Sequence, residues 1–165
     1  MIIRQQYAFS ILRAAEQYSI SKLAIIEFGV ASGAGLLNMC HIAERTSRAT
    51  GIAFRVVGFD TGVGMPPPAD YRDHPEQWQE GDFPMEPEKL RRAMPSNAEL
   101  IIRDVENTIP PFLETISPEQ PIGFVVVDYY ASARSALRVF TAADDKYLPA
   151  TLVYLDDIDH ICSNQ

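Results

Sequence analysis

Cysteine is scarce in this 165-residue chain, with Cys40 and Cys162 the only two. Two thiols exclude a disulfide framework, and their separation has no metal-site spacing. Positive charge is the next shortage. Fourteen Lys and Arg stand against 22 Asp and Glu, a net charge of −8, which argues against nucleic acid or an anionic membrane surface as principal partner. Long apolar runs are missing too: the densest, Ile122 to Val127, has a strand's length and not a membrane span's. The opening Met1-Ile2-Ile3-Arg4-Gln5-Gln6 lacks the apolar core and small-residue cleavage site of a secretory signal. These absences predict a cytoplasmic protein with no membrane or nucleic-acid partner, and they leave a homo-oligomer open. What is present is 47% hydrophobic and 22% charged residues, a balance that supports one domain with a buried core.

Periodicity orders the elements. Gln5 to Tyr18 places Tyr7, Ile11, Ala14, Ala15 and Tyr18 at helical spacing. Leu23 to Phe28 reads as a buried strand, and Gly33 to Arg48 as a helix with Leu36, Leu37, Cys40 and Ala43 inward, ended by Thr50-Gly51. Phe54 to Phe59 is a second strand that stops at Asp60. From Thr61 to Pro87 prolines and glycines crowd a long loop holding Trp78 and Phe83, which predicts a functional segment and a possible lid. A short helix over Glu86 to Met94, a strand over Ala98 to Arg103 and a helix over Thr108 to Thr115, opened by Pro110 and Pro111, follow. Ile122 to Val127 and Ala150 to Leu155 complete the strands, with a helix over Ser132 to Ala143 between them. Strands apolar on both faces that alternate with helices predict a parallel sheet covered on both sides. Right-handed crossovers make that a doubly wound α/β fold.

The acids fall at telling positions. Asp60, Asp104, Asp128 and the pair Asp156-Asp157 each follow directly on a predicted strand. In an open parallel sheet such positions line the carboxyl edge, where ligands bind. A single acid after a strand is more often a helix cap or turn former. A whole set of them points to a site, because converging carboxylates need a cation, donors or protons. The turn Glu27-Phe28-Gly29-Val30-Ala31-Ser32-Gly33-Ala34-Gly35 is a second signal: its glycines allow tight geometry and close approach of a ligand to the main chain. The dinucleotide fingerprint fails, since Asn38 stands in its third glycine position, and no Gly-Lys-Ser/Thr of a P-loop follows.

The spacing E-x-G-x-x-x-G-x-G, with an acid ending the next strand, resembles motifs I and II of class I S-adenosylmethionine-dependent methyltransferases. The likeness narrows to the macrocin O-methyltransferase-like family. Its D-S-F-x-G-L-P-x-P segment is matched by Asp60-Thr61-Gly62-Val63-Gly64-Met65-Pro66-Pro67-Pro68, its G-x-F by Gly81-Asp82-Phe83, and its D-T-L-P by Asn107-Thr108-Ile109-Pro110. Its D-x-D-L-Y-x-S-T reads here Val126-Val127-Asp128-Tyr129-Tyr130-Ala131-Ser132-Ala133, and its final acid pair is Asp156-Asp157. Val126 replaces the first acid of D-x-D, and Asp104 replaces a glycine. The chain stops at Gln165, where methyltransferases of this class carry further strands, so a piece of a longer protein or a trimmed member is expected.

The resemblance implies a Rossmann-like fold and an O-methyltransferase that acts on a hydroxyl of a small molecule, a sugar or other metabolite. It assigns Glu27, Gly29, Gly33, Gly35, Asp60 and Asp104 to S-adenosylmethionine, with Asp60 on the ribose hydroxyls and Asp104 at the adenine amino group. It assigns Asp128, Asp156 and Asp157 to a divalent metal, expected to be Mg2+ on oxygen ligands, with Asp128 also as general base. Tyr130 and Ser132 match the motif, with packing and capping as their ordinary roles. The rival readings are a non-catalytic domain that binds S-adenosylmethionine or S-adenosylhomocysteine, and a nicotinamide-dependent reductase, which the failed fingerprint opposes.

Overall fold

Five parallel strands in the order β3-β2-β1-β4-β5 form the frame of the molecule. The structure is a computed structural model and describes residues 12–13, 15–68, 70–71, 75–128 and 144–155. The strands are β1 (Lys22–Phe28), β2 (Ala53–Asp60), β3 (Ala98–Ile102), β4 (Ile122–Val127) and β5 (Tyr147–Leu155). Between them run the helices α1 (Ala34–Thr50), α2 (Pro87–Ala93) and α3 (Val105–Leu113). The doubly wound α/β arrangement expected from the sequence is what forms. Most of the helix predicted over Gln5 to Tyr18, and all of that over Ser132 to Ala143, lie outside the described residues; Ala15, ahead of β1, is buried.

Strand alternation sorts the core into two layers. On one face Leu23, Ile25, Phe54, Val56, Phe124 and Val126 pack under α1 and α2 through Leu36, Met39, Cys40, Ala43 and Leu90. On the other, Ile26, Phe28, Val57, Phe59 and Val125 pack under α3 through Val105, Ile109, Phe112 and Leu113. Phe59 joins the second layer, its ring 5.3 Å from Phe28 and edge-on to Phe112 at 5.1 Å. Gly58 permits the first layer to close: a Cβ there would lie 2.8 Å from Val30 and 2.9 Å from Leu36.

Two elements start three residues earlier than expected. The third helix starts at Val105 and not at Thr108, because the Asp104 carboxylate caps it by accepting the N–H of Glu106 at 2.8 Å. Pro110 and Pro111 therefore sit inside α3 and do not open it. There they take away the N–H groups that would bond the carbonyls of Glu106 and Asn107, and the helix ends two residues later at Leu113. β5 begins at Tyr147, earlier than Ala150, because Tyr147 pairs with Ile122 before a register shift.

The long loop after β2 is fastened to itself. The Met65 N–H donates to the Asp82 carbonyl at 2.8 Å and the Gly81 N–H to the Met65 carbonyl at 2.9 Å. Gly64 lies against this neck so closely that a Cβ would meet the Gly81 carbonyl oxygen at 2.6 Å. Beyond it, the Trp78 and Phe83 rings meet at a tilt of 56° with centroids 5.2 Å apart, and Phe83 is half exposed with φ +58°.

Candidate functional site

The ends of four strands are laced along one edge. The Asp128 N–H donates to the Phe28 carbonyl (2.9 Å), the Gly29 N–H to Phe59 (3.0 Å) and the Arg103 N–H to Asp60 (3.0 Å). Each bond extends the ladder one step beyond the strands, so Asp128, Gly29, Asp60 and Asp104 all sit at the carboxyl edge. Neighbouring strands lie about 4.8 Å apart, which sets Asp128 on β4 two spacings, roughly 10 Å, from Asp60 on β2. Those two acids therefore serve different parts of the edge. On the far side Leu155 pairs with Val127, which carries β5 to the same edge; Asp156, Asp157, Tyr130 and Ser132 lie outside the described residues.

Asp60 is the hub of this edge. Its Oδ2 accepts the N–H of Val30 at 2.8 Å and of Ala31 at 2.9 Å, and its Oδ1 accepts the N–H of Gly62 at 2.7 Å. One carboxylate thus ties the β1–α1 turn to the loop after β2. The turn is bent by residues at positive φ: Gly29 (+81°), Ala31 (+48°) and Gly33 (+87°). It delivers the chain into α1, whose N-terminus has no side-chain cap. An uncapped helix start leaves main-chain N–H groups and a partial positive charge facing the edge, which suits a carboxylate-bearing ligand.

Gly33 has a structural reason to be glycine. A Cβ there would stand 2.3 Å from Leu90 Cδ1, so α2 packs directly on the turn. Glu27 is 1% exposed at the end of β1, between Gly58 on β2 and Val126 on β4. Burial, and second the nearby Glu27 carboxylate, push the Cys40 thiol up to about 11. Val126, the position of the missing acid, is fully buried in the same layer. Leu90 and Ala31 escaped the sequence reading, since neither residue type signals a site; Gly58 was detectable, as a glycine inside a strand marks a close approach.

The methyltransferase domain family model matches residues 26–158, the stretch that contains the laced edge. The chain belongs to that family. Its mostly parallel sheet with packed helices is the Rossmann-like fold of a class I methyltransferase domain. By fold the domain is similar to the crystal structure of CalS11, a calicheamicin methyltransferase, with TM-score 0.71 and 20% identity over 96% of this chain and 65% of that one. A second structure, of apo CalS11 described as a TDP-rhamnose 3'-O-methyltransferase, gives TM-score 0.61 and 20% identity over 96% of this chain and 64% of that one. The methyltransferase domain thus spans just under two thirds of the length of these structures. No curated sequence matches it.

Proposed function

We propose that this methyltransferase domain binds S-adenosylmethionine along the carboxyl edge and transfers its methyl group to a hydroxyl of a small molecule, a sugar or related metabolite. The observation that carries the reading is the junction at Asp60, where an acid at the end of β2 meets a glycine-bent turn and an uncapped helix N-terminus. The fold likeness to an enzyme described as acting on TDP-rhamnose supports a sugar acceptor. The finer macrocin-like affinity rests on the motifs of the chain itself.

The cofactor supplies an electrophilic methyl on a cationic sulfur; the chain's part is to hold and align. Main-chain N–H groups around Gly33 and Gly35 would receive the cofactor's amino-acid end, with Gly29 giving the turn its bend and Glu27 acting from beneath it. Asp60 would accept from the ribose, and Asp104 would turn toward the adenine amino group while capping α3. Asp128 would take the proton of the acceptor hydroxyl as its oxygen attacks the methyl carbon in line with the departing sulfur. Trp78 and Phe83 would border the acceptor, on a loop that leaves the edge beside Asp60.

Asp128, with Asp156 and Asp157 from outside the described residues, would supply oxygen donors of the kind Mg2+ takes. No group of three or more metal-binding side chains is assembled among the described residues. Held there, the ion would make the acceptor hydroxyl more acidic. Asp128→Asn is expected to abolish methyl transfer while calorimetric affinity for S-adenosylhomocysteine stays nearly unchanged. Full activity in that variant removes the base assignment, and activity unaffected by chelation removes the metal.

A second reading is favoured by one observation, the buried Val126 where the family motif has an acid. It makes the domain a binder without turnover. Cofactor binding in the absence of any methyl transfer with a panel of nucleotide sugars would select it.

A further inference from the structure

A carboxylate has about four acceptor positions, two on each oxygen. In Asp60 three are occupied by main-chain donors, and both on Oδ2 are taken, by Val30 and Ala31. A ribose diol that engages both oxygens finds one position on Oδ1 and none on Oδ2. The two donors on Oδ2 are not equal. Val30 is 5% exposed and fixed in the core between α1 and Gly58, whereas Ala31 is partly exposed. Ala31 also holds φ +48°, a left-handed conformation that a residue with a Cβ adopts at a cost. Its backbone is therefore strained in the ligand-free turn.

We infer that Asp60 is the positioning residue of the glycine-rich turn, and that cofactor binding exchanges its bond to the Ala31 N–H for one to a ribose hydroxyl. The inference rests on the proposed cofactor reading for its second half only. In the ligand-free domain Asp60 holds the turn in shape by Val30, Ala31 and Gly62. On binding, Val30 and Gly62 keep their bonds, one ribose hydroxyl takes the remaining position on Oδ1, and the other displaces Ala31 from Oδ2. The released Ala31 returns to an ordinary φ, which offsets part of the lost bond and lets the turn close on the ligand. The same carboxylate then serves the turn before binding and the cofactor after it, and Ala31 is the element that moves.

Amide hydrogen exchange, resolved by NMR on the whole chain with S-adenosylhomocysteine as probe, tests both halves. In the ligand-free protein, Val30 and Ala31 are expected to be protected, and Asp60→Ala, which leaves no side-chain acceptor, is expected to remove that protection while core amides such as Ile26 keep theirs. Unchanged protection in Asp60→Ala overturns the positioning role. Saturation with S-adenosylhomocysteine is expected to speed exchange at Ala31 and to leave Val30 protected; equal or slower exchange at Ala31 overturns the exchange of partners. Ala31→Gly relieves the left-handed strain before binding, so its affinity for the probe is expected to fall about tenfold, and an unchanged affinity counts against release. A wild-type chain that does not bind the probe overturns the cofactor reading and the exchange with it, while the ligand-free comparison still decides whether Asp60 positions the turn.

Discussion

At Gly33 the need for glycine comes from two sides. The backbone sits at φ +87°, and Leu90 lies where a Cβ would be. Gly33→Ala is expected to cost about 2 kcal/mol, most of it the left-handed penalty and the rest the displacement of Leu90. Urea denaturation checks this. The double variant with Leu90→Ala should lose less than the sum of the two single losses, because the second change removes the clash; strict additivity would mean that the two residues do not meet. Cys40 carries a second prediction at this scale. Its thiol is pushed up to about 11 by burial and by the Glu27 carboxylate, so it stays protonated and unreactive in the native domain at neutral pH. In a Cys162→Ser background, alkylation of Cys40 is expected only on unfolding, and fast labelling of the native protein would contradict its burial. The sign of the pH effect follows. The unfolded chain loses this proton near 9.0 and the native one near about 11, so stability is full below 9.0 and falls as pH rises between them. Tyr147, raised to about 12 by burial, adds a loss in the same direction at higher pH.

Among the elements, α3 separates local signal from tertiary context most clearly. Pro110 and Pro111 read as a helix start, but the chain starts the helix earlier because Asp104 is there to cap it. Arg55 fastens the other end: its guanidinium lies 5.1 Å over the Phe112 ring and donates to Thr115 at 2.9 Å and Glu99 at 2.8 Å. These contacts join residues far apart in sequence, so no window of the chain announces them. Asp104→Ala should destabilise the domain by about 1 kcal/mol through the lost cap. If the proposed adenine contact holds, affinity for S-adenosylhomocysteine drops as well; stability loss with unchanged affinity would leave Asp104 a cap and nothing else. The loop after β2 was legible as a break in periodicity, and its aromatic pair Trp78 and Phe83 as an unusual composition. Its neck, closed by Met65, Gly81 and Asp82, was not legible, because bonds between backbone groups leave no mark in residue type.

For the whole molecule, the proposed site is a rim to which several loops contribute, and its energetics follow. A ligand bound there holds the ends of several strands at once and binds only the folded chain. S-adenosylhomocysteine at a hundredfold excess over its Kd is expected to stabilise the domain by about 2.7 kcal/mol. For a domain of this size that raises Tm by roughly 5–10 °C. A thermal scan with no shift would remove the cofactor from the account.

What the chain determined alone is the pattern of its strands and helices and the chemistry available at their ends. Alternation and apolar runs follow from local burial, and both are written residue by residue; so were the parallel sheet and the row of acids Asp60, Asp104 and Asp128. The tertiary structure decided how that chemistry is used. It turned Asp60 inward onto Val30 and Ala31, set Leu90 against Gly33 and enclosed Glu27 between Gly58 and Val126. Each of those outcomes depends on which segments distant in sequence become neighbours, and hydrogen bonds and van der Waals contact act only over such short distances in space.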